Sequence, residues 1–254
     1  MTSISRQSSR RGRAAALALA GLLILGCAGE REQRTAIQDI TEAYELARES
    51  VARGNYRRGI ELYEAIQARY PFSDLSRQIQ LELMYAYYKG GQKELAIEAA
   101  ETFMRENPIN PRVDYALYIQ ALSYFEGGPG LLERLFRKNV KKRPPKDVEQ
   151  SYVTLRRLVE RYPASAYAPD AQQRMIYLRN RLAAYENHVA DYYLRLGAFV
   201  AAAKRATRAV EEYNGADSNA ESLKLLARAY DSLGMDDLAE DTRRVLATNY
   251  PNDS

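Results

Sequence analysis

The chain has 254 residues, 46% of them hydrophobic, with 37 Lys and Arg against 33 Asp and Glu and a formal net charge of +4. Arg6, Arg10, Arg11 and Arg13 carry that whole excess, so residues 27–254 are neutral. They offer no basic stripe of the kind that holds nucleic acid. A single cysteine excludes an internal disulfide, and a single histidine, His188, leaves no set of nitrogen and sulfur ligands for a metal.

Residues 1–26 read as an export signal. A basic start without acids is followed by the apolar run 14–25, which is too short to span a bilayer comfortably. The run ends in Ile24-Leu25-Gly26-Cys27: an apolar branched residue at −3, a small one at −1, then cysteine, the pattern of a bacterial lipobox. The Cys27 thiol is the expected acceptor for diacylglycerol. The bulk of Leu25 departs from the usual small residue at −2. Several acyl chains together hold firmly, each buried methylene contributing about 0.8 kcal/mol. Ala28 follows where Asp would signal retention at an inner membrane, so the expected location is the periplasmic face of an outer membrane, with residues 27–38 as lipidated cysteine and polar linker.

From about Thr35 onward apolar residues recur at helical spacing and no window alternates with period two. Ile60, Tyr63, Ile66 and Tyr70 share one face; so do Leu81, Met84 and Tyr88, and Leu223, Leu226 and Tyr230. The segments end alike, in Tyr70-Pro71, Asn107-Pro108, Tyr162-Pro163 and Tyr250-Pro251, with Tyr213-Asn214 in the same place. Pro71 and Pro108 lie 37 residues apart, as do Asn214 and Pro251, close to the period of about 34 of a tetratricopeptide repeat. Aligned on these stops, Ala47 and Ala227 occupy the small position of the first helix. Gly54-Asn55-Tyr56 and Gly234 make the turn, Gly59 and Ala239 take the small position of the second helix, and Tyr63 and Arg243 its large one. Small residues let the two helices cross closely and the proline ends the second. Gly59 is expected to weaken its helix and Arg243 to cap an exposed end.

Two central repeats are stretched. Between Pro108 and Pro163 the spacing predicts a helix at 111–126, an insertion at 127–146 and a helix at 147–162. After Pro163 it predicts one long helix from about Tyr167 to Leu196 with a turn at Gly197, and an N-cap within Gly215-Ala216-Asp217-Ser218 for the last repeat. The expected fold is all-α, an α-solenoid of about five tetratricopeptide-like hairpins, two of them elongated.

The runs Arg69-Tyr70-Pro71-Phe72-Ser73, Gln78-Ile79-Gln80-Leu81, Tyr85-Ala86-Tyr87-Tyr88-Lys89, Asn107-Pro108 with Asn110-Pro111, Val113-Asp114-Tyr115, Tyr162-Pro163-Ala164-Ser165-Ala166-Tyr167, and Gly197-Ala198-Phe199-Val200-Ala201 resemble the BamD (ComL) family. These are lipoprotein subunits of the outer-membrane β-barrel assembly machinery. The resemblance covers essentially the whole chain after Cys27. It departs at 141–146, where a basic, proline-rich segment replaces an Arg-Asp-rich link. It implies a non-catalytic scaffold without cofactors. Residues 39–146 would form a pocket for targeting signals of unfolded β-barrel proteins, and residues 147–254 would bind a BamA-like barrel protein, beside other lipoproteins of the complex. Arg205 matches a family arginine implicated in communication with that partner; Lys204 departs from the family's asparagine.

Tyr70, Phe72, Gln80, Tyr85, Tyr87, Tyr115 and Tyr118 are the candidate pocket residues. A tyrosine offers a ring to an aromatic side chain and a hydroxyl to backbone groups, although aromatic residues at helical spacing more often pack as core. Two or three of the group are expected to line a pocket. Arg205 would pair with an acidic side chain of the partner; without the resemblance it reads as a solvated arginine. No catalytic constellation is recognisable around His188, and Gly127-Gly128-Pro129-Gly130 lacks the lysine of a phosphate loop. The competing function is a different periplasmic repeat lipoprotein, one that coordinates cell-envelope or cell-wall synthesis. A murein hydrolase would need an appended catalytic domain that the repeats leave no room for.

Overall fold

A computed structural model of the protein describes residues 39–125 and 146–253. The export signal, Cys27 and the linker fall outside the described residues, as does the insertion up to residue 145. Ten helices and no strand occur among the described residues: α1 (39–52), α2 (Tyr56–Arg69), α3 (Ser76–Lys89), α4 (Lys93–Glu106), α5 (Val113–Tyr124), α6 (Lys146–Arg161), α7 (Ala168–Arg195), α8 (Phe199–Glu212), α9 (Asn219–Ser232) and α10 (Asp236–Asn249). In chain order they follow one another as the successive helices of a helical-repeat fold, the α-solenoid expected. They group into two compact units, divided between Ala86 and Tyr87.

In the first unit, α1 and α2 meet at small residues. Ala47 is fully buried, and a Cβ at Gly59 would collide with Val51 Cγ2 and sit 3.4 Å from the Ala47 carbonyl oxygen. Gly59 is therefore present for close approach; its poor helix propensity is the cost of that crossing. Gly54 turns the chain at φ +79°, and the Asn55 side chain accepts the Arg58 N–H at 3.3 Å to start α2. Ile60, Tyr63 and Ile66 are buried as their spacing predicts. Tyr63 lies 6.0 Å from the Tyr44 ring, and burial, aided by Glu82, pushes its phenol well above the ordinary range. Tyr70 departs from that face: it is the C-cap of α2, because the helix stops at Arg69, two residues before Pro71.

The second unit runs from the end of α3 to α10, each helix from α4 onward packing on the next. Helix α5 is buried on nearly all sides between α4 and α6, as an apolar surface all round requires. Ser151 of α6, fully buried, donates to the Ala121 carbonyl at 2.9 Å, which only a side chain this small permits. Helix α7 spans 28 residues, about 42 Å, and packs on α6, α8 and α9. Its length accounts for one stretched repeat. Helix α8 buries Ala202, Ala203, Ala206 and Ala209, and the first three seat it closely against Ala190 and Leu194 of α7 and Leu225, Leu226 and Ala229 of α9. Gly197 turns α7 into α8 at φ +74°.

Ser218 precedes α9, but its hydroxyl caps nothing. Its carbonyl is used instead, accepting Asn187 Nδ2 at 3.0 Å, while Ser222 donates to Asn187 Oδ1 at 2.8 Å. Beside it Asn180 and Asp217 exchange two hydrogen bonds, at 2.6 and 3.1 Å. Polar straps from α7 thus hold the turn that carries Asn214 in place of proline. Arg243 of α10 pairs with Asp231 of α9, so it bridges the last two helices.

The Gly59 crossing yields a test. Gly59→Ala, which helix propensity alone predicts to stabilise by about 1 kcal/mol, is expected to destabilise the chain by about 1–3 kcal/mol through overpacking against Val51. Urea unfolding measures it; a gain in stability contradicts the crossing.

Candidate functional site

The candidate residues fall in different settings. In the first unit, Phe72 is 98% exposed in the turn after Pro71. Tyr70 is half-buried under the Arg69 guanidinium, 5.3 Å from its ring. Gln80 and Tyr85 are half-buried on α3. In the second unit, Tyr87 is core, whereas Tyr115 and Tyr118 are half-buried on α5.

Tyr115 and Tyr118 are brought together by Tyr167, just before α7. Its ring stacks on Tyr118 at 4.8 Å and tilts against Tyr115 at 5.6 Å. The Tyr118 hydroxyl donates to Asp170 Oδ2 at 2.7 Å, and Arg174 Nε donates to the same oxygen at 2.5 Å. The Arg174 guanidinium lies over Phe125 at 4.8 Å, Phe125 meets Tyr177 at 5.9 Å, and Arg112 lies 5.0 Å from the Tyr115 ring. The result is a half-buried strip along the first helices of two successive repeats, alternating aromatic faces with guanidinium planes. Asp170, Arg174 and Tyr177 were missed by motif reading, and Tyr167 was noted only for the resemblance and as a helix start, not as a site residue. Their signal was the 3-4-3 spacing that puts them on one face of α7, legible only once Tyr118 supplies the opposite side.

Arg205 is also engaged. Its Nη1 donates to Glu186 Oε2 at 3.0 Å and Oε1 at 3.4 Å. The Glu186 side chain is 4% exposed. Arg208 shares the same carboxylate, with Nη1 to Oε1 at 3.2 Å, and also reaches Glu149 on α6 at 2.7 Å and Glu212 at 2.9 Å. Burial would lower the Arg208 pKa; the hydrogen bonds it donates to Glu212 and Glu149 outweigh that and raise it. Tyr213, beneath Arg208 at 5.8 Å, has its phenol pushed up chiefly by burial. Sequence reading marked Arg205 but neither Glu186 nor Arg208.

His188 is half-buried on α7. Among the described residues no group of three or more His, Cys, Asp or Glu side chains is placed to hold a metal ion. No described helix is long and apolar enough to cross a membrane.

Burial pushes the Asp170 carboxyl up, but the hydrogen bonds from Arg174 and Tyr118, with the Arg174 charge, hold it below its ordinary value. Burial and the bond to Asp170 push the Tyr118 phenol up to about 12. A depressed carboxyl stabilises the fold above its unfolded pKa, about 4, and loses that contribution as pH falls through the folded value. Asp170→Asn is therefore expected to lower Tm by a constant amount between pH 7 and 5, with the gap closing below pH about 4. Thermal melts of both proteins across that range check it; a gap unchanged at pH about 3 contradicts the assignment.

Comparison with known proteins matches this chain to a family. The family model for YfiO, described as an outer membrane lipoprotein, matches residues 37–246. The outer membrane protein assembly factor BamD of Neisseria meningitidis serogroup A / serotype 4A is 39% identical over 235 residues, covering 92% of this chain and 88% of the relative. That of Vibrio cholerae serotype O1 is 34% identical over 233 residues, covering 91% and 95%. The chain belongs to the BamD (YfiO) family of outer membrane lipoproteins.

Proposed function

We propose that the protein is a non-catalytic scaffold of the outer-membrane protein assembly machinery, binding a BamA-like barrel protein through residues 147–254 and receiving targeting signals of unfolded β-barrel proteins. Its relatives are named assembly factors, and it works by binding energy alone. Cys27, once lipidated, tethers it to the periplasmic face of the outer membrane, beside other lipoproteins of the complex.

The observation that carries this reading is the Tyr115–Tyr118–Tyr167–Arg174 strip. It lies on the first helices of successive repeats, the face on which repeat solenoids grip extended polypeptide. Aromatic faces accept apolar and aromatic side chains, and tyrosine hydroxyls and guanidinium groups pair with backbone carbonyls or a terminal carboxylate. Phe72 is a separate exposed contact in the first unit, with Tyr70, Gln80 and Tyr85 near it in sequence; Tyr87 is core of the second unit. Arg205 supplies the charged contact for the barrel protein.

Photo-reactive residues at Tyr115, Tyr118 and Arg205 test the reading in cells. Crosslinks from the two tyrosine positions to unfolded β-barrel proteins, and from Arg205 to the barrel subunit, are the expected result. Crosslinks only to cell-wall synthesis proteins would replace this function with the competing one.

A further inference from the structure

We propose that Arg205 is a releasable cation held in reserve on the buried carboxylate of Glu186, and that Glu186 sets how readily Arg205 passes to a carboxylate on the partner. This rests on the partner role just proposed for residues 147–254. Glu186 lies almost wholly out of water, where a carboxylate persists as an ion only if paired. It has two arginines from α8, and the two are held very differently.

Every nitrogen of Arg208 that bears a proton is committed: Nε to Glu212, Nη1 to Glu186 and Nη2 to Glu149. These bonds tie α6, α7 and α8 together. Arg205 uses Nη1 alone; among the described residues its Nε and Nη2 have no hydrogen-bond acceptor. Its side chain is 37% exposed, next to the exposed Lys204. When Arg205 leaves, Glu186 keeps Arg208, so no buried charge is stranded. Glu149 and Glu212, at 39% and 53% exposure, keep Arg208 and lose nothing when Arg205 goes. When Arg208 is removed, three carboxylates face one remaining arginine that reaches only Glu186.

Released from Glu186, Arg205 can carry the two parallel donors of its Nε and Nη2 edge out to a partner carboxylate, which accepts them in bidentate fashion; until then the Nη1 bonds to Glu186 hold the guanidinium back against α7. Glu186 therefore competes with the partner for Arg205. The apparent affinity of the partner scales with the fraction of time Arg205 spends off Glu186. Glu186 is a positioning residue: it acts through Arg205 and touches no partner group.

The test uses the full chain and the purified periplasmic region of the BamA-like protein, with affinity measured by calorimetry. Glu186→Gln is expected to tighten binding by about threefold to tenfold, and this gain is expected to vanish when Arg205→Gln is added. A purely structural role predicts weaker binding in Glu186→Gln and additive effects, and either overturns the proposal, as does a gain that survives Arg205→Gln. Arginine side-chain exchange by NMR reads the same release in the free wild-type protein. The Arg205 Nε proton is expected to exchange at least about tenfold faster than that of Arg208, and equal protection overturns the proposal whether or not Glu186→Gln folds. If wild type does not bind the partner at all, the functional reading fails while the exchange measurement still decides whether Arg205 is releasable.

Discussion

Everything in this molecule depends on how closely two helices of a pair can cross. Where α1 meets α2 the space between Val51, Ala47 and Gly59 admits no Cβ. Where α7 meets α8 the contact is made by Ala190, Ala202 and Ala206, all fully buried. Interiors pack at crystal-like density, so a methylene added at such a crossing has nowhere to go. Large side chains such as Tyr63, Leu178, Leu182 and Leu225 are almost wholly buried and add apolar area to the core. One helix pair cannot cover its own apolar face. Stacking the next pair behind it does, which is why α5 is buried on nearly all sides.

That packing fixes the polar groups. Ala206 holds α8 against α7 and so brings Arg205 and Arg208 to Glu186. The same seating places α7 so that Asn180 and Asn187 reach the turn before α9. The buried carboxylate in turn makes the pairing specific. A shift of α8 by one residue would leave Glu186 without either arginine, at a penalty of several kcal/mol for an unpaired buried ion. A binding surface built this way owes its shape to residues that never touch the partner.

Much of the fold was legible because its rules are local. Helical spacing, the repeated Tyr-Pro and Asn-Pro stops and the turn glycines place the helices, and the two stretched repeats are α5–α6 and α7–α8. The long helix expected over 167–196 is α7, Ala168–Arg195. What escaped reading depends on groups far apart in sequence. Ser218 looks like a cap, yet its carbonyl is the group that matters, because Asn187 arrives from α7, 31 residues away. Tyr70 sits at helical spacing from Ile66 but the coming proline ends the helix before it. Tyr118 and Asp170 are 52 residues apart and Arg208 and Glu149 are 59 apart, so no periodicity within one helix announces either pair. The resemblance pointed to Arg205 as a residue of interest; only the folded chain shows which carboxylate holds it.

The most direct test of this account places a larger side chain at a buried crossing and reads partner binding at the surface. Ala206 is fully buried in α8 and offers nothing to a partner. Ala206→Leu is expected to keep the helical content by circular dichroism, to lower Tm, and to weaken binding of the BamA-like periplasmic region by at least about tenfold, because the displaced α8 carries its whole exposed face out of the position that the partner meets. A helical Ala206→Leu protein that binds its partner as wild type does would show that helix packing does not position the surface.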